Sequence, residues 1–245
     1  MRTVRFQQHE GDLVRAGELK GVEIYADGEV FALERVHLLP PCVPSKIVCV
    51  GRNYAAHAEE MGNEVPLHPL LFFKPPSALI GSGADIILPD SSEVHYEAEL
   101  AVVIGTRCRN VSARDAMEVI SGYTCMNDVS DRQAQAWEKN WVRAKGFDTS
   151  APLGPALVTP DEVRDPFHVM LRLNGDVRQD GWTSAFIFPV PVLIETISRI
   201  MTLEPGDVIA TGTPAGVGCL AAGDVVEVEI DGIGTLRNTV CAGSG

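Results

Sequence analysis

His95-Tyr96-Glu97-Ala98-Glu99-Leu100-Ala101-Val102-Val103-Ile104 is the stretch on which the reading of this chain turns. Its second half is apolar at every position, the pattern of a strand buried on both faces, and Gly105 closes it. Side chains alternate faces along a strand, so His95, Glu97 and Glu99 fall on one side and Tyr96, Ala98 and Leu100 on the other. Two carboxylates at the edge of a core repel each other unless something positive sits between them. A hard divalent cation with oxygen ligands meets that need, and a solvated strand face with alternating glutamates is the plainer reading of the same residues.

Upstream, Lys46-Ile47-Val48-Cys49-Val50 reads as a short buried strand ending at Gly51-Arg52-Asn53-Tyr54. Good helix formers follow from Ala55 to Met61 before Gly62, and His57 and Glu60 share a face of that helix. A carboxylate beside an imidazole fixes its tautomer and raises its basicity, as a general base requires; a surface turn would carry the same pair without purpose. Leu70 to Phe73 is an apolar strand ending in Lys74, which either snorkels to solvent or meets an anion. Nearer the start, Asp27-Gly28 between alternating segments signals a hairpin, and the three prolines of Leu39-Pro40-Pro41-Cys42-Val43-Pro44 place a boundary there. The organisation expected is a small N-terminal β unit over residues 1–43 and a main domain over 44–245.

Downstream, Ser112-Ala113-Arg114-Asp115 reads as a helix start and carries a helical crossover to Gly122, after which the strand Tyr123 to Asn127 delivers a third carboxylate, Asp128. Asp148 to Pro155 reads as loop. Asn174-Gly175 is a second hairpin with Arg178-Gln179 on the return strand, and Pro191 to Leu203 has helical apolar spacing. The glycine-rich Gly212-Thr213-Pro214-Ala215-Gly216-Val217-Gly218 lacks the Lys-Ser/Thr of a nucleotide loop, and offers backbone N–H groups and a hydroxyl to a carboxylate.

The net charge of −13 argues against nucleic acid, whose affinity rests on basic patches. No run approaches the ~20 apolar residues of a membrane span, and Met1 to Phe6 lack the apolar core of a signal peptide, so a cytoplasmic protein without membrane contact is expected. The six cysteines have neither C-x-x-C spacing nor scaffold density and read as reduced thiols.

Gly51-Arg52-Asn53-Tyr54 with His57 and Glu60, His95-x-Glu97-x-Glu99, Asp128, Lys145, Arg178-Gln179 and Thr211-Gly212-Thr213-Pro214, in this order, resemble the fumarylacetoacetate hydrolase family, over roughly residues 44–245. The resemblance implies an α+β, predominantly β fold: a mixed β-roll with a few short helices, beside the small N-terminal β appendage. It also implies a homodimer and a divalent metal, Mg2+ with Mn2+ or Ca2+ as alternatives, held by Glu97, Glu99 and Asp128. By the same matching His57, Glu60 and Lys145 are the catalytic candidates, and Arg52, Arg132, Gln135, Gly212 and Thr213 the substrate-binding ones.

The small-molecule substrate so implied is a 2-oxo acid, or its enol, reacting through an enolate at the metal. The His57 and Glu60 pair points to C–C hydrolysis of acylpyruvates or decarboxylation of oxaloacetate. The rival is isomerisation of a dienol diacid, of the 2-hydroxyhepta-2,4-diene-1,7-dioate or 5-carboxymethyl-2-hydroxymuconate type, for which Arg52, Lys74, Arg132 and Arg178 are the available cations. A non-catalytic metal-stabilised binding protein is the reading from another class; it has no use for Lys145 or His57.

Overall fold

The computed structural model describes residues 1–243. Strands dominate, as the alternating and doubly apolar segments require. The main sheet has twelve strands, ten of them in the path Glu29–Ala32, Glu23–Ala26, Arg15–Lys20, Arg2–Gln7, Ala151–Val158, Ile120–Asn127, Ala98–Ile104, Val208–Ala210, Ile47–Gly51 and Leu70–Lys74. Off this path, His37–Leu39 pairs with Arg2–Gln7 and Leu79–Ile80 with Ala151–Val158. A five-stranded sheet runs Asp176–Trp182, His168–Leu173, Val225–Ile230, Gly234–Ala242, Asp85–Leu88. A small three-stranded sheet joins Ser130–Asp131, Val94–Tyr96 and Gly218–Cys219.

Alternation along the central strands divides the interior in two. Val48, Val50, Leu100, Val102 and Ile104 face the larger core, with Leu171 and Val228 of the five-stranded sheet and Leu193, Ile194 and Ile197 of the helix Val190–Ile200. Ile47, Cys49, Ala101, Val103, Met126, Val208 and Ala210 face a second cluster on the other side. Both faces are therefore dry, which is why Ala98–Ile104 is apolar beyond Glu99. Burying each such Val or Ile contributes about 1.5–3 kcal/mol.

Both hairpin signals hold: Asp27 and Gly28 have φ of 52° and 82°, and Asn174 and Gly175 have φ of 54° and 88°, the left-handed pair that a two-residue turn needs. The N-terminal strands extend the main sheet edge to edge, Arg2 and Thr3 pairing with Val158 and Leu157, and Val4, Phe6, Ile24 and Phe31 pack on Ala156.

Three readings need correction. The helical crossover before Asp128 is only a 3-10 turn, Ala116–Val119, so Ile120–Asn127 returns antiparallel beside Ala98–Ile104. Asp148 to Pro155 is not all loop: Ala151–Val158 is an interior strand despite Pro152 and Pro155, which cannot donate to the ladder, and its pairing with Ile120–Asn127 shifts register between Tyr123 and Cys125. His95 stands outside the group of three carboxylates: the strand breaks at Glu97, Val94–Tyr96 joins the small sheet, and His95 Nε2 lies 3.3 Å from Cys219 Sγ and 3.6 Å from Glu93.

Candidate active site

Glu97 and Glu99 stand two residues apart across the break that ends the long strand, and the antiparallel register sets Ala98 opposite Asn127. Asp128 therefore arrives beside Glu97, its N–H donating to Glu97 O at 2.8 Å, while Asn127 Oδ1 accepts from the Glu97 N–H at 2.9 Å. One oxygen from each of Glu97, Glu99 and Asp128 falls within 4.8 Å of the others, and all three residues are buried. Among the described residues this is the one such group of three.

Charge compensation around the three is uneven. Lys145 Nζ donates to Glu97 Oε2 at 2.8 Å and to Asp128 Oδ2 at 2.7 Å, and Arg132 Nη2 to Glu97 Oε1 at 2.5 Å. Lys74, wholly buried rather than snorkelling, sets its ammonium 2.9 Å from Asp128 Oδ1 and donates to the carbonyls of Val129, Lys145 and Ser150. Burial alone would raise the Glu97 pKa, but Lys145 and Arg132 outweigh it and hold the carboxyl below its usual range. Lys145 is shifted upward: burial opposes its charge, and Asp128 and Glu97 outweigh burial.

Glu99 forms no ion pair among the described residues, and Lys145 acts on it only from a distance. Its one polar partner is the Gly212 N–H, at 2.8 Å from Oε2, and burial, then Asp128 and Glu97, push its carboxyl well above the ordinary value. Three hard oxygen donors, one of them uncompensated, suit a divalent cation such as Mg2+ or Mn2+. Oxygens already bonded to Lys or Arg keep a second lone pair for it.

The cavity at this point, about 30 Å3, is lined by Arg52, His57, Phe72, Gln135 and Thr213 together with Lys145 and the three carboxylates. That is room for an ion and its water, since one water needs about 10–15 Å3. His57, buried on the short helix Ala55–Glu60, sets Nδ1 3.2 Å from Glu60 Oε2, and Gly216 N donates to Glu60 Oε1 at 2.9 Å. Gln135 Oε1 accepts from Arg132 Nη1 at 2.8 Å. The residues expected from sequence thus converge on one place, whereas Arg178 is exposed and paired with Asp176. A larger concavity, about 880 Å3 and lined by Ile87, Leu88 and Phe147 among others, shares none of these residues.

Asn53 and Gln179 stand in the motifs that carry the family resemblance, and Lys74 was left between solvent and an anion; what each of them supports emerges only from the structure. Asn53 ties three segments together, donating to Thr211 O at 2.8 Å and Phe188 O at 3.0 Å and accepting from Phe188 N. Its Cβ leaves no room for one on Gly212, where φ is +98°. Lys74, Asn53 and Gln179 all find partners in distant segments, and local pattern carries no signal for that.

Residues 46–241 match the family model described as fumarylacetoacetate (FAA) hydrolase C-terminal, and the chain belongs to that family of enzymes. A Bacillus subtilis protein named oxaloacetate tautomerase is 44% identical over 86% of this chain and 75% of its own length. A solved structure of 5-carboxymethyl-2-hydroxymuconate delta-isomerase from Mycobacterium smegmatis superposes with a TM-score of 0.89 at 44% identity, covering 100% of both chains. Maleylpyruvate hydrolase from Sphingobium sp. SYK-6, solved with manganese (II) ion and pyruvate, gives 0.85 at 33% identity, also over 100% of both.

Proposed function

We propose that this chain is a divalent-metal-dependent enzyme that moves a proton at the carbon next to the keto group of a small 2-oxo acid, with oxaloacetate as the first substrate to test. The observation that carries this reading is the His57–Glu60 hydrogen bond in the wall of the cavity that holds Glu97, Glu99 and Asp128. Proton transfer also unites the tautomerase and isomerase names among the relatives, where the sequence reading leaned to C–C hydrolysis or decarboxylation.

Glu97, Glu99 and Asp128 would hold the cation, which when bound polarises the keto oxygen and stabilises the charge that develops on it. Glu60 only accepts, so His57 donates its Nδ1 hydrogen there and keeps its Nε2 lone pair for the substrate. Nε2 takes the proton from carbon 3, the electron pair becomes the C2–C3 double bond, and a proton reaches the 2-oxygen, so the formula of the acid is unchanged. Gly216 fixes the far oxygen of Glu60, so the imidazole is oriented before substrate arrives. Lys145 and Arg132 keep Glu97 ionised, and Arg52, with no carboxylate partner among the described residues, receives a substrate carboxylate.

The test is to follow the ultraviolet absorbance of enol-oxaloacetate with purified protein, Mg2+ or Mn2+, and an EDTA control. Metal-dependent acceleration that falls about 100-fold or more in His57→Ala is expected. No acceleration by the wild-type protein overturns the reading. A hydrolytic reading is favoured by the pyruvate in the Sphingobium structure; it takes over if acetylpyruvate is cleaved and oxaloacetate is not tautomerised.

A further inference from the structure

Gln179 is fully buried on the return strand Asp176–Trp182, and both ends of its amide are assigned by backbone groups with fixed polarity. Oε1 accepts from the N–H of Ala98, the residue between Glu97 and Glu99, at 2.9 Å. Nε2 donates to the Pro214 carbonyl at 2.8 Å, and its second hydrogen goes to Thr213 Oγ1 at 2.7 Å. The amide cannot flip without setting its oxygen against the Pro214 carbonyl and its NH2 against the Ala98 N–H.

A hydroxyl has one hydrogen to give. Thr213 Oγ1 spends its acceptor side on Gln179, and among the described residues the hydroxyl donates to no protein acceptor. Thr213 lines the cavity beside Glu97, Glu99 and Lys145, so the remaining direction for its hydrogen is into that space. We infer that Gln179 is a positioning residue: it polarises the Thr213 hydroxyl so that a donor is presented in advance to an anionic oxygen of the substrate, and it ties that donor to the strand bearing Glu97 and Glu99. The inference rests on the 2-oxo acid reading above, for which oxalate serves as a planar dianionic probe.

The test measures oxalate affinity by calorimetry in saturating Mn2+, and Mn2+ affinity alone, for wild type, Gln179→Glu, Thr213→Val and the double variant. A carboxylate at 179 still accepts from Ala98 but also accepts the Thr213 hydrogen, withdrawing it from the cavity. The expected result is oxalate binding weakened about tenfold or more by either single change. Less than the product of the two losses is expected in the double variant, with Mn2+ affinity not reduced by Gln179→Glu. Strictly multiplicative losses, or oxalate bound by Gln179→Glu as by wild type, overturn the inference. So does a loss of Mn2+ affinity matching that of oxalate, which marks a merely structural role. Should Gln179→Glu fail to fold, Gln179→Met frees the Pro214 carbonyl to capture the hydroxyl hydrogen, and the same outcomes apply. Failure of the wild-type protein to bind oxalate in Mn2+ defeats the 2-oxo acid reading instead.

Discussion

Lys74 Nζ lies 2.9 Å from Asp128 Oδ1, with both side chains wholly buried, while Lys145 takes the other oxygen of the same carboxylate. Asp128 is thus gripped from two sides by ammonium groups that arrive on separate segments. Burial draws the Lys74 pKa below the ordinary lysine value against the pull of Asp128, and three backbone carbonyls take up its hydrogens.

Lys74→Met removes one partner of this buried pair and strands the Val129, Lys145 and Ser150 carbonyls. Breaking such a pair costs about 3–5 kcal/mol. Urea denaturation in EDTA is expected to show that loss, and a change under 1 kcal/mol would mean that Lys74 is dispensable to the fold.

Glu99 presents the opposite case, a buried carboxylate with no counter-ion among the described residues. Burial, Asp128 and Glu97 already disfavour the charged form of Glu99, so Glu99→Gln puts a neutral amide of the same shape where charge is costly, and in EDTA the variant is expected to be at least as stable as wild type. Wild type is expected to gain about 2.7 kcal/mol from Mn2+ at a hundredfold excess over Kd, seen as a rise in melting temperature, and the variant to lose that gain. Thermal scans with and without Mn2+ check both halves.

Gly212 donates to Glu99 from a backbone with φ +98°, and a Cβ there would lie 2.7 Å from Asn53 Cβ and 3.1 Å from Val50 O. Gly212→Ala forces the turn to shift, and with it the N–H that orients the carboxylate. Outer-shell losses of this kind cost about 10–100-fold in metal affinity. A Mn2+ titration giving wild-type affinity for Gly212→Ala would show that this N–H does not orient Glu99.

Asp207, immediately before the strand Val208–Ala210, accepts from the Ser45 N–H and hydroxyl, the Lys46 N–H and the Glu204 N–H, and pairs with the Lys46 ammonium. Burial raises its pKa, but the Glu204 N–H, Lys46 and Ser45 together hold it below the usual value. A depressed carboxyl contributes stability that is complete above the unfolded value, about 3.9, and lost as pH falls through the folded one. Asp207→Asn is expected to cost about 2–3 kcal/mol at pH 7, with the gap to wild type constant down to about pH 4 and closing below it. A gap that persists unchanged to pH 2 would assign the loss to packing.

What the sequence determined alone was local. The Asp27-Gly28 and Asn174-Gly175 turns and the apolar run of 100–104 need only neighbouring residues to be understood, because side-chain period and turn dihedrals are short-range properties. The carboxylate pair and the His57 and Glu60 spacing were legible for the same reason. The proximity of Asp128 had no local signal and was expected only from the family resemblance: it depends on an antiparallel register in place of the expected crossover, with the strand broken at Glu97. Nor could local pattern show that Lys74 is buried or that Gln179 reaches both Ala98 and Thr213, since sheet order alone brings those segments together. Desolvation and hydrogen-bond polarity at the site follow from that packing, so the chemistry of these side chains was decided by the tertiary structure.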